Sequence, residues 1–155
     1  PQDIADFLCD YMDRYFSGLG LDVEVNVSKD DIYRVELNAD NNAMLIGRGG
    51  QTLQALNTVV KGAASSHFRH KIPVLVDING YKEERYERLE MMAMSVAKDV
   101  RRTRQSVVLD PMPADERKVI HQYLNSMPHI RTASEGEGKE RCIRISYSEE
   151  EFPED

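Results

Sequence analysis

The apolar residues of this chain change period along its length, and that change decides most of what the chain can fold into. Ile4, Phe7, Leu8, Tyr11, Tyr15 and Leu19 recur at helical spacing behind Asp3, a suitable helix cap, and Gly18 and Gly20 close the run. Val23, Val25 and Val27 then alternate with Glu24 and Asn26, and Tyr33, Val35 and Leu37 alternate with Arg34 and Glu36. With only Ser28 to Asp31 between them, the two runs predict a β-hairpin with one buried face. The switch from helical period to period two and back indicates an α+β chain, and no internal repeat is present.

Asp40-Asn41-Asn42 marks a second helix start, followed by the short apolar run Ala43 to Ile46 and then Gly47-Arg48-Gly49-Gly50. Leu53, Leu56, Val59, Val60, Ala63 and Ala64 form the stripe of a longer helix that should end before Pro73. Val74 to Ile78 reads as a largely buried strand. From Lys82 to about Gln105 one long helix carries the seam Tyr86, Leu89, Ala93, Val96 and Val100, with Met91, Met92 and Met94 as packing filler. Ser106 to Leu109 reads as a strand, and Pro113 to about Asn125 as a helix whose Asp115 and Glu116 suit its positive end. Ile130 to Ser134 and Cys142 to Tyr147 bracket a Gly-rich turn as a hairpin, and the acidic stretch from Glu149 to Asp155 is expected to be disordered.

A length of 155 residues admits one ordinary domain or two small ones and excludes a large enzyme with its own cofactor domain. No run approaches the roughly 20 apolar residues of a membrane span, and Pro1-Gln2-Asp3 does not open a signal peptide. A cytoplasmic protein without direct membrane insertion is expected, and the missing initial Met suits a piece of something longer. Cys9 and Cys142 lie near opposite ends with no CxxC partner, so neither a disulfide framework nor a zinc ribbon fits, and no metal or cofactor is expected.

The 20 basic and 27 acidic side chains leave a net charge of −7, which on its own argues against a nucleic-acid partner. Divided along the chain, the balance is −7 over residues 1–44, +4 over residues 45–139 and −4 over the remainder. Phosphate binding responds to the local potential within about 8 to 10 Å, so the mildly basic middle is the part that matters. Its densest stretch, Lys98 to Arg104, reads by itself as a solvated helix face.

Gly47-Arg48-Gly49-Gly50 joins a very short helix to a long one. Glycine admits a close backbone approach, the start of the long helix offers unpaired N–H groups and a positive dipole end, and Arg48 adds charge at the tip. Phosphate is the chemistry this suits, although a tight turn between packed helices needs the same glycines. Neither a phosphate-binding Walker loop nor a dinucleotide fingerprint fits the spacing. Further along, Arg117 and His121 lie four apart and so side by side on one helix, with Lys118 at their flank. Val119, Ile120, Tyr123 and Leu124 are expected on the opposite side, leaving the pair to face outward. A guanidinium fork and a flat imidazole suit phosphate and base stacking, and a polar helix surface is the plainer alternative.

The element order helix-strand-strand-helix-GxxG-helix-strand, from Asp3 to Ile78, resembles a type II KH domain, in which the loop clamps a backbone segment of single-stranded nucleic acid. The following strand, Pro-rich turn, Arg-x-x-x-His helix and hairpin are similar to the R-three-H domain. In tandem they resemble the bacterial SpoIIIJ-associated Jag family, also called KhpB or EloR, over roughly residues 3 to 148. The resemblance implies residues 1–80 as the KH domain, 81–105 as a connecting helix, 106–148 as a small α/β R-three-H domain, and 149–155 as a loose tail. It further implies RNA contacts at Ile46, Gly47, Arg48, Gly49, Gly50 and Leu53, the first and last lining a groove for bases, and at Arg117, Lys118 and His121. Gly49 stands where the family often has a polar side chain, leaving Arg48 and the backbone as the loop's phosphate contacts.

The function this implies is non-catalytic binding of single-stranded RNA, linked to cell elongation and division. Single-stranded DNA is the other nucleic-acid candidate, and a small KH-only protein or a second copy of the chain is the implied protein partner. The family's N-terminal Jag domain has no counterpart here. Two rivals remain. His67, His70, His121 and His129 invite a nuclease reading, which lacks an acid partner for His121, a metal cluster and a nucleophile motif. A protein-interaction scaffold with weak RNA binding agrees better with the net charge.

Overall fold

The computed structural model describes residues 3–40, 47 and 50–154. These fall into two units, Pro1–Lys82 and Glu83–Asp155. The short apolar run Ala43 to Ile46, expected as a helix, lies outside the described residues.

In the first unit α1 (Ile4–Gly18) opens on Asp3, whose carboxylate accepts the Asp6 N–H at 2.7 Å. It closes where Gly20, at φ 71°, lets the Leu21 N–H reach back to the Phe16 carbonyl at 2.9 Å. The face it buries is Phe7, Leu8, Met12 and Phe16. Tyr15 and Leu19, expected on that face, are 42% and 57% exposed. Stepping by four from Leu8 rather than Phe7 gives the buried line, and Leu19 lies past the last helical turn.

β1 (Glu24–Lys29) and β2 (Tyr33–Asn38) form the expected hairpin, antiparallel with Val27 opposite Val35. The Asp30 carboxylate fixes the turn by accepting the Ile32 N–H and pairing with Arg34 at 3.0 Å. After the loop come α2 (Gln51–Phe68) and β3 (Val74–Ile78), and β3 runs parallel to β2 with Val35 opposite Val76. A parallel neighbour demands a crossover, and the loop with α2 supplies it. The sheet order is β1-β2-β3. Leu53, Leu56, Val60 and Ala64 of α2 join the α1 face over Val35, Leu37, Val76 and Ile78 in one core. Two side chains of α2 also satisfy backbone donors beside β3: Asn57 accepts the Val76 N–H at 2.6 Å, and Ser65 accepts that of Ile72 at 3.1 Å.

The helix α3 (Tyr81–Thr103) starts on Asp77, whose carboxylate accepts the Lys82 N–H at 3.0 Å. Its seam, Leu89, Ala93, Ala97 and Val100, belongs to the second core together with Leu109, Ile120, Leu124, Ile130, Ile143 and Ile145. Met91, expected to pack, is 74% exposed. β4 (Val107–Val108), β6 (Cys142–Tyr147) and β5 (Ile130–Glu135) form an antiparallel sheet in the order β4-β6-β5, and α4 (Ala114–Leu124) lies between β4 and β5 in sequence. Arg85 of α3 donates to Glu116 of α4 at 3.0 Å, and the Tyr86 hydroxyl donates to Asp115 at 2.8 Å. Glu116, 2% exposed, therefore does more than suit a helix end. The acidic stretch after β6 is also tied back: the carbonyls of Glu151 and Glu154 accept from the His129 N–H at 2.7 Å and from Arg131 at 2.9 Å.

Candidate nucleic-acid interface

The first candidate site stands at the start of α2. Gly47 and Gly50 both adopt the left-handed region, at φ 73° and 77°, and the Gly50 N–H donates to the Gly47 carbonyl at 3.3 Å. Gly50 is also the N-cap of α2, a helix with no side-chain cap and no acidic residue in its first turn. Its leading N–H groups and positive dipole end therefore face no carboxylate of their own turn. A Cβ on Gly47 would run into the Thr52 side chain and come within 2.9 Å of the Thr52 backbone N. One on Gly50 would meet the Tyr81 Oη at 3.0 Å. Glycine alone meets both the φ value and the backbone contact at position 47, and at 50 it avoids the strain of the φ value and a tight approach to the Tyr81 ring.

Of the other loop residues singled out in the sequence, Ile46, Arg48 and Gly49 lie outside the described residues. Leu53 is 1% exposed and belongs to the first core, so the groove contact expected of it is corrected to a packing role. The stripe position that identified Leu53 as apolar also turns it toward the sheet. Near the end of β3, burial raises the Asp77 carboxyl above its ordinary value, against the hydrogen bonds from the Lys82 and Ile78 N–H groups that favour its charged form.

The second candidate site joins α4 to β5. Arg117 donates through Nε to the Met112 carbonyl at 3.1 Å and through Nη1 to the Ser134 hydroxyl at 3.3 Å. His121 pairs through Nδ1 with the Thr132 hydroxyl at 2.6 Å and through Nε2 with Ser134 at 3.0 Å. Arg117 and His121 are brought together as expected, but they are half-buried against β5 instead of facing outward. The helix geometry explains the difference: at 3.6 residues per turn, positions three apart are only about 60° apart around the axis, so Arg117 lies beside the buried Ile120. Lys118 is exposed.

Thr132 and Ser134 complete this network, and the sequence reading missed them. Their signal is the period-two rule: they share a strand face with buried Ile130, and a hydroxyl on a core-facing position needs a polar partner. The result is a guanidinium and an imidazole held in fixed planes by two hydroxyls, a preorganised pair of flat, donor-bearing groups. Among the described residues no group of three or more His, Cys, Asp or Glu side chains could hold a metal ion, and no helix is long and apolar enough to cross a membrane.

Comparison with known proteins matches each unit to a domain family. The KH domain of KhpA and KhpB matches residues 6–78, and the R-three-H domain matches residues 87–147. A protein named RNA-binding protein KhpB from Clostridium symbiosum is 32% identical over 152 residues, covering 96% of this chain and 68% of that protein. The chain belongs to the KhpB family. Relatives of the same name share 34% identity over 141 residues in Lactiplantibacillus plantarum and 38% over 128 residues in Bacillus subtilis. The matches take in 90% and 81% of this chain but only 44% and 61% of those two KhpB proteins. The R-three-H match begins inside α3, in keeping with the contribution of that helix to the second core.

Proposed function

We propose that this chain is a non-catalytic binder of single-stranded RNA in the cytoplasm. The loop from Gly47 to Gly50 holds a backbone segment, and Arg117, Lys118 and His121 contact phosphate or stack on a base in the second unit. The observation that carries the reading is the loop: two left-handed glycines, the first with no room for a Cβ, closing onto a helix end with neither a side-chain cap nor a first-turn carboxylate. The name of its relatives, RNA-binding protein KhpB, and the two matched domains support RNA as the ligand. Family resemblance extends the proposal to a post-transcriptional role in cell elongation and division alongside a small KH-only partner.

The test is Arg48→Asp with Gly49→Asp, which leaves both left-handed glycines in place. Replacing one positive charge by two negative ones beside a phosphate should weaken binding of a labelled single-stranded oligonucleotide at least tenfold, about 1.4 kcal/mol, without lowering thermal stability. Unchanged affinity would remove the loop from the interface. The scaffold reading is favoured by one observation, the exposed Tyr15 of α1 and Leu19 just past its end. Negligible oligonucleotide binding even at low salt would support it.

A further inference from the structure

The end of α3 and the sheet edge carry a group of side chains that the Arg117 and His121 site does not use. The Arg104 guanidinium lies 4.7 Å over the Tyr147 ring, and Tyr147 stacks on His129 with ring centroids 5.9 Å apart and planes 13° apart. Arg101 and Arg102, both exposed, precede Arg104 in the last turn of the helix, and Arg131 follows His129 on β5. Period two places Arg131 on the opposite strand face from Thr132 and Ser134, so these cations do not belong to the hydroxyl network.

The acidic segment after β6 lies against this group. Glu149 pairs with Arg104 at 3.7 Å, the Glu151 carbonyl accepts the His129 N–H, and the Glu154 carbonyl accepts from Arg131. Apolar packing does not account for its position, since Phe152, its one large apolar side chain, is 57% exposed. Nor does the ion pair hold it firmly: with side chains 65% and 84% exposed, such a pair contributes little. A negatively charged segment, held by a few hydrogen bonds to its backbone carbonyls, thus lies beside a stack of a guanidinium, a phenol and an imidazole and engages Arg104, His129 and Arg131. Guanidinium and aromatic planes are surfaces on which unpaired bases stack, and the arginine fork accepts phosphate.

We propose that Arg104, His129, Arg131 and Tyr147 form a second single-stranded-RNA contact surface in this unit, occupied in cis by the acidic segment Glu149–Glu154, which RNA displaces. The inference rests on the RNA-binding reading above, and its test separates the two. Affinity for a labelled uridine-rich oligonucleotide is measured across a salt series for the full chain and for a chain ending at Ser148. A third variant carries Glu149→Gln, Glu150→Gln, Glu151→Gln and Glu154→Gln, which keeps every backbone acceptor and guards against loss of fold.

Removing the segment should tighten binding at least threefold. Release of Arg104 and Arg131 should steepen the log–log salt slope by about 1.4, at about 0.7 per phosphate contact. The glutamine variant should shift in the same direction, and Arg104→Ala with Arg131→Ala should abolish the gain. Equal affinity with and without the segment overturns this inference and leaves the RNA-binding reading standing. A gain that survives Arg104→Ala with Arg131→Ala also overturns it, because relief of overall negative charge would then explain the effect. If no form binds RNA, both readings fall.

Discussion

Glycine-to-alanine substitution at three positions of the first unit separates what the loop requires from what a helix tolerates. At Gly50 the backbone has φ 77°, and left-handed conformation costs an L-residue with a Cβ about 1 to 2 kcal/mol. The new methyl would lie 3.0 Å from the Tyr81 Oη and 3.3 Å from its Cε1, a contact that a shift of the ring by a few tenths of an ångström relieves. Gly50→Ala should therefore cost about 1 to 2 kcal/mol. Gly47→Ala meets the Thr52 backbone N at 2.9 Å as well as its side chain, and backbone cannot move aside as a ring can, so its cost should exceed that of Gly50→Ala. Gly62 sits inside α2 with nothing within 4 Å of its added Cβ, and Gly62→Ala should stabilise by about 0.5 to 1 kcal/mol.

The series is read by chemical denaturation and by melting temperature, where 1 kcal/mol corresponds to about 4 to 8 °C in a domain of this size. The expected order of stability is Gly62→Ala, wild type, Gly50→Ala, Gly47→Ala. If Gly50→Ala or Gly47→Ala matched Gly62→Ala, the loop would not need its left-handed glycines and the geometric argument for the first site would fail. The order also dictates which variants can report on RNA: charge placed at positions 47 or 50 would confound binding with folding, whereas charge at 48 and 49 leaves both strained positions unchanged.

Ser134→Ala removes the hydroxyl shared by Arg117 and His121, and oligonucleotide affinity should fall severalfold while circular dichroism remains that of the wild type; unaltered affinity would show that the hydroxyl does not position the pair. Glu116→Gln leaves Arg85 without its buried anion but retains an acceptor, and because Arg85 is 30% exposed the cost should be about 1 to 2 kcal/mol in denaturant unfolding, well short of a fully buried pair. Asp77 has a folded-state pKa raised above 3.8, so its ionisation stabilises the unfolded chain more than the folded one. That contribution is favourable below 3.8 and is lost as pH rises through the folded value, so the stability of Asp77→Asn relative to wild type should rise across that acidic window in pH-dependent unfolding; a flat difference would contradict the shift.

The hairpin and β3 were legible because period-two runs were bounded by turn chemistry that the fold uses directly, as Asp30 shows by accepting the Ile32 N–H. The register of α1 was less so. Steps of four from Phe7 and from Leu8 both fit a helix, and only the sheet beneath decides that Met12 and Phe16 are buried while Tyr15 is exposed. In the second unit, spacing put Arg117 beside His121 but gave no information on what their shared face meets. That face meets a strand whose pairing with β6 brings Thr132 and Ser134 to it, a tertiary fact. The acidic tail shows the limit of composition: charge density argued for disorder, yet the atoms that tie it down are carbonyls, which every residue carries.

Several cations of the second unit have carboxylate partners within it. Arg85 is paired with Glu116, Arg102 with Asp99, Arg104 with Glu149 and Arg144 with Glu135, so four of the second unit's cations already face a carboxylate within it. The local excess of positive charge that first suggested a phosphate partner therefore overstates the cations ready to meet one. A protein with a net charge of −7 gains little from long-range attraction to a polyanion. On the proposed reading, affinity has to come from contacts whose geometry is fixed beforehand, such as a helix end opened by Gly47 and Gly50 and an imidazole held by two hydroxyls. A shallow salt dependence together with a large effect of single neutral substitutions such as Ser134→Ala is the signature of such a site, and a steep salt dependence insensitive to those substitutions would be the signature of a diffuse basic surface and would refute this reasoning.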